Sequence, residues 1–563
     1  MNKYILLGIL SLLSSVLLSL PFLATNLGIV SLFALVPLLC MDKIASDTNT
    51  KRVWIWHYST FVLWNAFTTF WVCNATLGGG LFAIFANAFQ MSLIFSLFRF
   101  SKKHFTGILP YTFLMFMWIA WEKLYLGGEI SWPWLVLGNS FARSIRSVQW
   151  YEFTGHLGGS LWIWLTNLSI FGFMVALSNK RWFTFNMKAK IASILGFACL
   201  ILVPFIISFT LYFSYEEKEN PLDVLIVQPN IDIYEKFTSL TQSQQTQKAL
   251  GLVTSALAES STLTSTSASE KPLLVLFPET FTDDIYYKHS SFPTSNPRGE
   301  AFTSSQAYPE FLASSTYPTL LNFLQNHKNL NLLFGASVRE YYRGERPSFN
   351  ARYAGRDNWL ISHNSALMMD ADGRTEIFHK NMLVPAVEKT PYPRFFTKID
   401  DALGGVMGRC VGQDSISVLN LKTLSGQYIP IGSAVCYESI YGDYYRGYVK
   451  KGAEAMVVIT NDAWWGDTPG YKQHLHYASL RSIETRRSIA RSANTGISCV
   501  INQKGEILEA SPWWKETTIR TKINLNSKET TFVKYGDIVG RVSTFMFLLL
   551  LANLLIKLLI RRK

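Results

Sequence analysis

The sequence predicts a polytopic α-helical membrane domain joined to an α/β domain. Three observations carry that prediction. Eight stretches are apolar enough, and at roughly 17–25 residues long enough, to cross a bilayer as helices. Between the seventh and the eighth lies a long polar segment in which β-branched runs alternate with helical patterns, the signature of α/β architecture. Lysine and arginine fall unevenly on the loops between the apolar stretches, as they do in membrane proteins of fixed orientation.

The apolar stretches run over residues 4–20, 23–41, 53–77, 80–98, 105–126, 161–178, 191–213 and 542–560. Lys3 ahead of the first resembles the start of a secretory signal, but the region around Leu20-Pro21 has no small-x-small cleavage pattern. It therefore reads as a retained span. With the N-terminus in the cytoplasm, the inner loops carry Lys43, Lys51, Arg52, Arg99, Lys102, Lys103, Lys180, Arg181, Lys188 and Lys190, and the tail adds Arg561-Arg562-Lys563. The outer loops are nearly bare, with Arg143 and Arg146 in the 127–160 loop. This positive-inside bias places residues 1–214 in the membrane as seven helices, 215–541 outside as one domain, and 542–563 back through the membrane with a basic cytoplasmic tail. The formal net charge of +13 is largely explained by this topology. No basic stripe interleaved with aromatics calls for a nucleic-acid partner.

In the outer segment, 223–228 reads as a first strand and 239–258 as an amphipathic helix after it. Residues 273–277, 331–337, 365–370, 428–435, 455–460 and 497–501 read as further strands. Turns at 369–374 and 503–506 make hairpins, so the sheets are expected to be mixed. The Ser/Thr-rich run 260–270 reads as a solvated linker. Residues 281–318 read as a long aromatic loop, suited to a lid resting on lipid.

Two of these strands, and a third segment of the same construction, end in chemistry. Leu273-Leu274-Val275-Leu276-Phe277-Pro278 delivers Glu279, Phe378-His379 delivers Lys380, and Ser433-Ala434-Val435 delivers Cys436 followed by Tyr437 and Glu438. A thiol with an ordinary pKa of ~8.5 needs a neighbouring base or cation to become a nucleophile. Glu279 suits the base, and Lys380 suits a stabiliser of thiolate and oxyanion. The Tyr437 amide is the first backbone donor past the nucleophile. Each motif alone is commonplace; together they specify acyl chemistry on cysteine. Six cysteines are too few and too scattered for a disulfide scaffold or a zinc site. Cys40, Cys73 and Cys199 lie in apolar stretches, and Cys499 reads as core.

On these motifs the outer segment resembles the nitrilase (carbon–nitrogen hydrolase) superfamily. With its membrane frame the whole chain resembles the bacterial apolipoprotein N-acyltransferases. The residues carrying the likeness are Phe277-Pro278-Glu279, Lys380-Asn381-Met382-Leu383-Val384-Pro385 with Glu388, and Cys436-Tyr437-Glu438. Thr460-Asn461-Asp462-Ala463-Trp464-Trp465-Gly466, Arg491-Ser492-Ala493-Asn494-Thr495-Gly496, Trp132-Pro133-Trp134 and Tyr535-Gly536-Asp537 add to it. The chain departs from that family's pattern where Phe237 replaces a tryptophan, where Val-Pro-Phe-Gly-Glu reads Val384-Pro385-Ala386-Val387-Glu388, and where Trp-Phe-Gly reads Trp464-Trp465-Gly466.

The resemblance implies an α-β-β-α sandwich inserted before the last of eight membrane helices, in a multi-pass protein of the bacterial inner membrane with its catalytic domain on the periplasmic side. It implies a Glu279–Lys380–Cys436 triad supported by Glu388, Tyr437, Glu438, Trp464 and Trp465. The implied donor is a phospholipid, typically phosphatidylethanolamine, and the acceptor a diacylglyceryl-apolipoprotein. No cofactor or metal is implied, and the chain is expected to be a monomer. Alternatives from the residues alone are a membrane-tethered amidase and an inactive lipoprotein-binding scaffold.

The topology is checked by labelling. A cysteine placed within 260–270 should react with an impermeant thiol reagent once the outer membrane is permeabilised. One placed beside Lys102 should stay shielded until the inner membrane is opened. The reverse pattern would put the 215–541 segment in the cytoplasm.

Overall fold

The computed structural model describes residues 2–263, 272–288, 314–402, 404–405 and 407–560. The chain forms two compact units. A helical unit comprises Met1–Tyr215, Asp467–Glu484 and Thr530–Lys563, and an α/β unit comprises Glu216–Gly466 and Thr485–Glu529.

Among the described residues, six helical segments of the first unit are long and apolar enough to cross a membrane: Lys3–Leu23, Gly28–Asp47, Leu77–Ser101, His156–Ser178, Met187–Ser214 and Ile538–Ile560. Trp54–Thr69 and Leu109–Leu126, also expected as spans, are helices of 16 and 18 residues. They carry His57 and Asn65, and Glu122 and Lys123, among their apolar side chains. Phe82, Phe89, Ile206 and Phe545 stand exposed on the long helices. In water such exposure would cost about 25 cal/mol per Å², which a hydrocarbon surrounding removes.

Gly28–Asp47 is not one regular helix. A 3-10 turn at Gly28–Leu32 gives way to an α-helix at Val36–Asp47, which leaves backbone groups unpaired at the break. Asn167 repairs it: its Oδ1 accepts from the Leu35 N–H at 2.8 Å and its Nδ2 donates to the Ser31 carbonyl at 2.8 Å. The Trp132-Pro133-Trp134 motif has an equally local task. Trp134 donates to Gln473 Oε1 at 2.7 Å and accepts at its carbonyl from the Tyr477 hydroxyl at 2.8 Å. Both partners lie on the Pro469–Thr485 helix. A Cβ on Gly470 would sit 2.5 Å from the Trp71 ring, so glycine permits that approach.

The described residues of the α/β unit hold fourteen strands. β1 is Pro221–Gln228, β2 Leu273–Leu276, β3 Thr282–Lys288, β4 Leu330–Arg343, β5 Arg352–Gly355, β6 Asn358–Met369 and β7 Thr375–His379. β8 is Leu419–Lys422, β9 Tyr428–Val435, β10 Ala455–Thr460, β11 Ile489–Ala493, β12 Cys499–Ile501, β13 Ile507–Ala510 and β14 Thr517–Asn524. One sheet has the order β14-β1-β2-β4-β6-β5, with β3 on β4 and β7 on β6; the other runs β13-β12-β11-β10-β9-β8. The β1-β2-β4 and β9-β10-β11 neighbours are parallel, and the remaining pairs apart from β3–β4 are antiparallel. The mixed sheets expected from the hairpins are therefore present.

The sheets pack on each other, β1 against β11 and β6 against β8 and β9. Ser492 donates to the Val227 carbonyl across them at 3.0 Å. Helices Gln242–Leu263 and Thr316–Gln325 bury Ala249, Val253, Leu320 and Leu324 against Val275, Leu332 and Phe334 on the outer face of the first sheet. The Gly442–Lys450 helix packs on β9. The result is the α-β-β-α order expected.

The loop reading of 281–318 is corrected at both ends. Residues 282–288 form β3, parallel to β4, and the Thr316–Gln325 helix follows. Phe281 is buried in a stack on Phe277 with ring centroids 4.5 Å apart, and Tyr286 is buried beside Tyr341. Residues 289–313, with Phe292 and Phe302, lie outside the described residues, as do 264–270 of the linker. Its first residues, 260–263, complete a helix.

Beside β2, packing is tight at Gly335 on β4. A Cβ there would lie 2.5 Å from the Thr280 nitrogen, 2.6 Å from Glu279 Cα and 2.7 Å from the Pro278 oxygen, all backbone atoms that cannot swing aside. Gly335→Ala should therefore destabilise the fold by about 1–3 kcal/mol, read from thermal unfolding. Gly251→Ala, in a helix with nothing near its Cβ, should be neutral or stabilising by up to about 1 kcal/mol.

Candidate active site

Glu279, Lys380 and Cys436 each follow the end of a strand, β2, β7 and β9 respectively. β2 and the second half of β9 are buried on both faces, whereas β7, Thr375-Glu376-Ile377-Phe378-His379, is mixed and partly exposed. Thr280 and Cys436 have φ of 49° and 51°, in the left-handed region that costs a non-glycine residue about 1–2 kcal/mol. Surrounding bonds hold both turns. Lys236 donates to the Thr280 carbonyl and, at 3.1 Å, to its hydroxyl. Burial pushes the Lys236 pKa down to about 8, against the pull of Glu279 and Asp283.

At the centre is the Lys380 ammonium, on a side chain 1% exposed. It lies 2.8 Å from Glu388 Oε1 and 3.3 Å from Glu279 Oε1. Burial alone would lower its pKa, but Glu388, Glu279 and Cys436 outweigh it and hold the pKa well above the usual value. Lys380 is therefore a permanent cation at neutral pH. Asn364 completes the core of the network: its Nδ2 donates to Glu279 Oε1 and to Glu388 Oε1, both at 2.7 Å. The Asn364 backbone carbonyl also accepts from the Lys380 N–H at 2.8 Å. The second Glu279 oxygen accepts from the Asn461 N–H at 3.1 Å.

Glu388 reaches Lys380 although the family's glycine is absent here. Ala386, two residues before it, takes the left-handed turn with φ 65° and donates to the Lys389 carbonyl at 2.8 Å. The Val384 N–H then fixes the other Glu388 oxygen at 2.7 Å. Val387, at the glycine's position, needs no unusual φ and points outward.

Glu438, expected as a supporting residue, is fully buried. Its carboxylate accepts from the N–H groups of Asn381 at 2.8 Å, Met382 at 3.2 Å and Val435 at 2.9 Å, and from the Tyr448 hydroxyl at 3.1 Å. It thus ties the backbone after Lys380 to the backbone before Cys436. Burial raises its pKa, and the Val435 and Asn381 amides oppose that rise.

The Cys436 thiol rests protonated. Burial is the main cause holding its pKa well above the ordinary range, and Glu279 and Asp462 add to it; Lys380 and a Thr460 hydrogen bond pull the other way. Asp462 is engaged in turn by Arg491 at 2.7 Å, with both side chains fully buried, and by the Thr460 hydroxyl at 2.8 Å. Tyr437 is buried edge-on to Tyr441, while Trp464 is exposed and Trp465 half-buried. Phe237's side chain lies outside the described residues. All six cysteines are free.

Asn364, Lys236 and Asn461 were not expected as site residues. Asn461 stood in a matched motif. Asn364 left no signal in the sequence, standing among Ser362, His363 and Ser365.

Residues 224–531, more than half of the chain, match the carbon-nitrogen hydrolase family model. The chain belongs to the carbon–nitrogen hydrolase family. Residues 14–169 match the apolipoprotein N-acyltransferase N-terminal domain. The apolipoprotein N-acyltransferase of Chlorobaculum tepidum is 24% identical over 95% of this chain and 93% of that protein. That of Geobacter metallireducens is 25% identical over 75% of this chain and 70% of that protein. Among solved structures, Saccharomyces cerevisiae Nit3, a member of branch 10 of the nitrilase superfamily, aligns at 15% identity and a TM-score of 0.34 over 55% of this chain and 93% of that one. This carbon–nitrogen hydrolase is thus a homologue of apolipoprotein N-acyltransferases along nearly its whole length.

The electrostatics make an unusual prediction for Glu279→Gln. Removing that negative charge lowers the Cys436 pKa, so more thiolate is present at pH 8. Alkylation of Cys436 by a small soluble reagent should speed up, while turnover should fall by about 10²-fold or more if Glu279 is the base expected from the sequence. Mass spectrometry of the Cys436 peptide reads the alkylation, and a turnover assay the loss. Parallel loss of both would contradict the arrangement.

Proposed function

We propose that the chain transfers an acyl group from a membrane phospholipid to the N-terminal amine of a diacylglyceryl-cysteine, the last step of lipoprotein maturation, through a thioester on Cys436. The observation that carries this reading is the Lys380 cation set between two carboxylates at the strand ends that also present Cys436, in a chain whose N-terminal region matches the acyltransferase domain.

In the first half-reaction Cys436 Sγ attacks the sn-1 ester carbonyl carbon while Glu279 takes the thiol proton. The Lys380 ammonium and the Tyr437 amide stabilise the oxyanion. Collapse breaks the ester C–O bond, and Glu279 returns the proton to the leaving lysophospholipid alkoxide. In the second half the acceptor amine attacks the thioester carbon and gives a proton to Glu279. Collapse then expels the Cys436 thiolate, which regains that proton. Both halves use the same groups in the same roles, which is the economy of a ping-pong reaction.

Glu388 and Asn364 position Lys380 and Glu279, and Glu438 holds the nucleophile's turn against the Lys380 loop. Trp464, exposed beside the site's strand β10, suits contact with an acyl chain, with Trp465 behind it. Phosphatidylethanolamine is the proposed donor. Water is the competing acceptor, so a thioester held away from solvent favours transfer over hydrolysis. In this reading the protein is a multi-pass monomer of the bacterial inner membrane. Residues 1–214 and 542–563 are its membrane part, and the 215–541 segment faces the periplasm, an orientation supported by the positive-inside distribution of charge.

Intact-mass measurement after incubation with phospholipid tests the proposal. A single acyl adduct should form and disappear when a diacylglyceryl-peptide is added, with that peptide gaining the acyl mass. Cys436→Ser should form no adduct, and Cys410→Ser and Cys499→Ser should form it normally. Release of ammonia from a soluble amide without lipopeptide acylation would instead make the chain an amidase.

A further inference from the structure

Behind the catalytic network, on the opposite face of the same sheet, three side chains converge that acyl transfer does not use. Successive residues of a strand point to opposite faces. His363 therefore projects away from its neighbour Asn364, and His379 away from Lys380. In the ladders Val338 faces His363 and Ser365 faces His379, so Glu340 on β4, His363 on β6 and His379 on β7 are diagonal neighbours on one face. Each offers a ligand atom, and those atoms lie within 4.8 Å of one another.

The hydrogen-bond chemistry of His363 points to what belongs there. Its Nδ1 is 2.6 Å from the Val411 carbonyl oxygen, which can only accept, so Nδ1 carries a hydrogen. Nε2 is buried without a hydrogen-bond partner and aims at Glu340 Oε2, 3.7 Å away. In a neutral ring that is a lone pair facing a carboxylate oxygen, an arrangement a cation between them relieves.

The outer contacts are also those of metal-bound imidazoles, whose second nitrogen is typically held by a carbonyl, carboxylate or similar group. Val411 plays that part for His363. The Ser365 hydroxyl is 2.7 Å from His379 Nδ1, and Tyr342 donates to Glu340 Oε2 at 2.6 Å. The two imidazoles stack with centroids 4.1 Å apart.

We propose that Glu340, His363 and His379 bind one divalent transition-metal ion of the zinc type, which staples β4, β6 and β7 where they present Asn364 and Lys380. Two imidazole nitrogens and a carboxylate are an established three-ligand set for zinc, with a water completing the tetrahedron. Bonds of ~2.0–2.1 Å would draw the three atoms to roughly 3.3 Å apart and tilt the stacked rings. The ion's role is to position Lys380 and Asn364 from behind, and it does not touch substrate.

The test uses the full-length chain in detergent, stripped of metal and carrying Cys436→Ala so that the nucleophile takes no ion. Cobalt titration followed by visible absorption, and zinc titration by calorimetry, should each give one ion per chain with a dissociation constant in the micromolar range or tighter. His363→Gln, His379→Gln and Glu340→Gln should each weaken binding about 10–100-fold. His327→Gln, just past a helix end of the same unit, should leave it unchanged. Zinc should also raise the unfolding temperature of the parent chain but not of the His363→Gln/His379→Gln double variant. Binding that ignores these substitutions would overturn the proposal. So would the lack of binding below millimolar zinc, which would leave His363 as an imidazolium paired with Glu340.

Discussion

A lysine ammonium removed from water is tolerable only when anions surround it, and Lys380 is the point around which the α/β unit's chemistry is arranged. Two carboxylates neutralise it, Glu388 at 2.8 Å and Glu279 at 3.3 Å, and Asn364 bonds both of them. The arrangement leaves one negative charge in excess before Cys436 is counted. After burial, the Glu279 charge is the largest cause raising the pKa of the neighbouring Cys436 thiol. Removing one partner of such a buried pair typically costs about 3–5 kcal/mol because the other is left uncompensated, so binding and folding constrain the same residues.

The remaining architecture delivers those groups to one place. Parallel strands end on a common side, and the turns beyond them are strained at Thr280, Ala386 and Cys436. Each strained turn is bonded from outside itself: Lys236 on Thr280, the Lys389 and Gly408 backbones on Ala386, and Glu438 on the residue before Cys436. Strain of this kind persists where the surroundings over-determine the backbone. Glu438 bonds two loops at once, so the nucleophile and the cation keep a common reference.

Much of this was legible in the sequence, for a physical reason. Runs such as Leu273–Leu276 and Ala455–Thr460 are apolar throughout because both faces are covered, and a polar residue at the end of such a run stands out. Glu279 and Cys436 stand out by that contrast, whereas Lys380 follows the mixed strand Thr375–His379 and the α-β-β-α order was implied by the family resemblance. β3 was hidden because Thr-Asp-Asp-Ile-Tyr-Tyr-Lys mixes charge with aromatics. β14 was hidden because an edge strand half in water reads as a polar loop. The bonds of Glu438 were hidden because its donors come from residues 10 to 57 positions away as well as from Val435, and no local pattern announces them. Asn364 and the His363–His379 pair depend on which strands are neighbours, information that only the ladder supplies.

The protonated state of Cys436 has a consequence for durability. Oxidants such as peroxide attack thiolates, and the first product, a sulfenic acid, can proceed to irreversible forms. A cysteine that ionised at rest would be spent in an oxidising compartment during the interval between substrates. Here burial, Glu279 and Asp462 keep the sulfur in its less reactive form, and deprotonation waits for the encounter that uses it. For the nucleophile proposed above, the same charges that slow its arming would lengthen its working life.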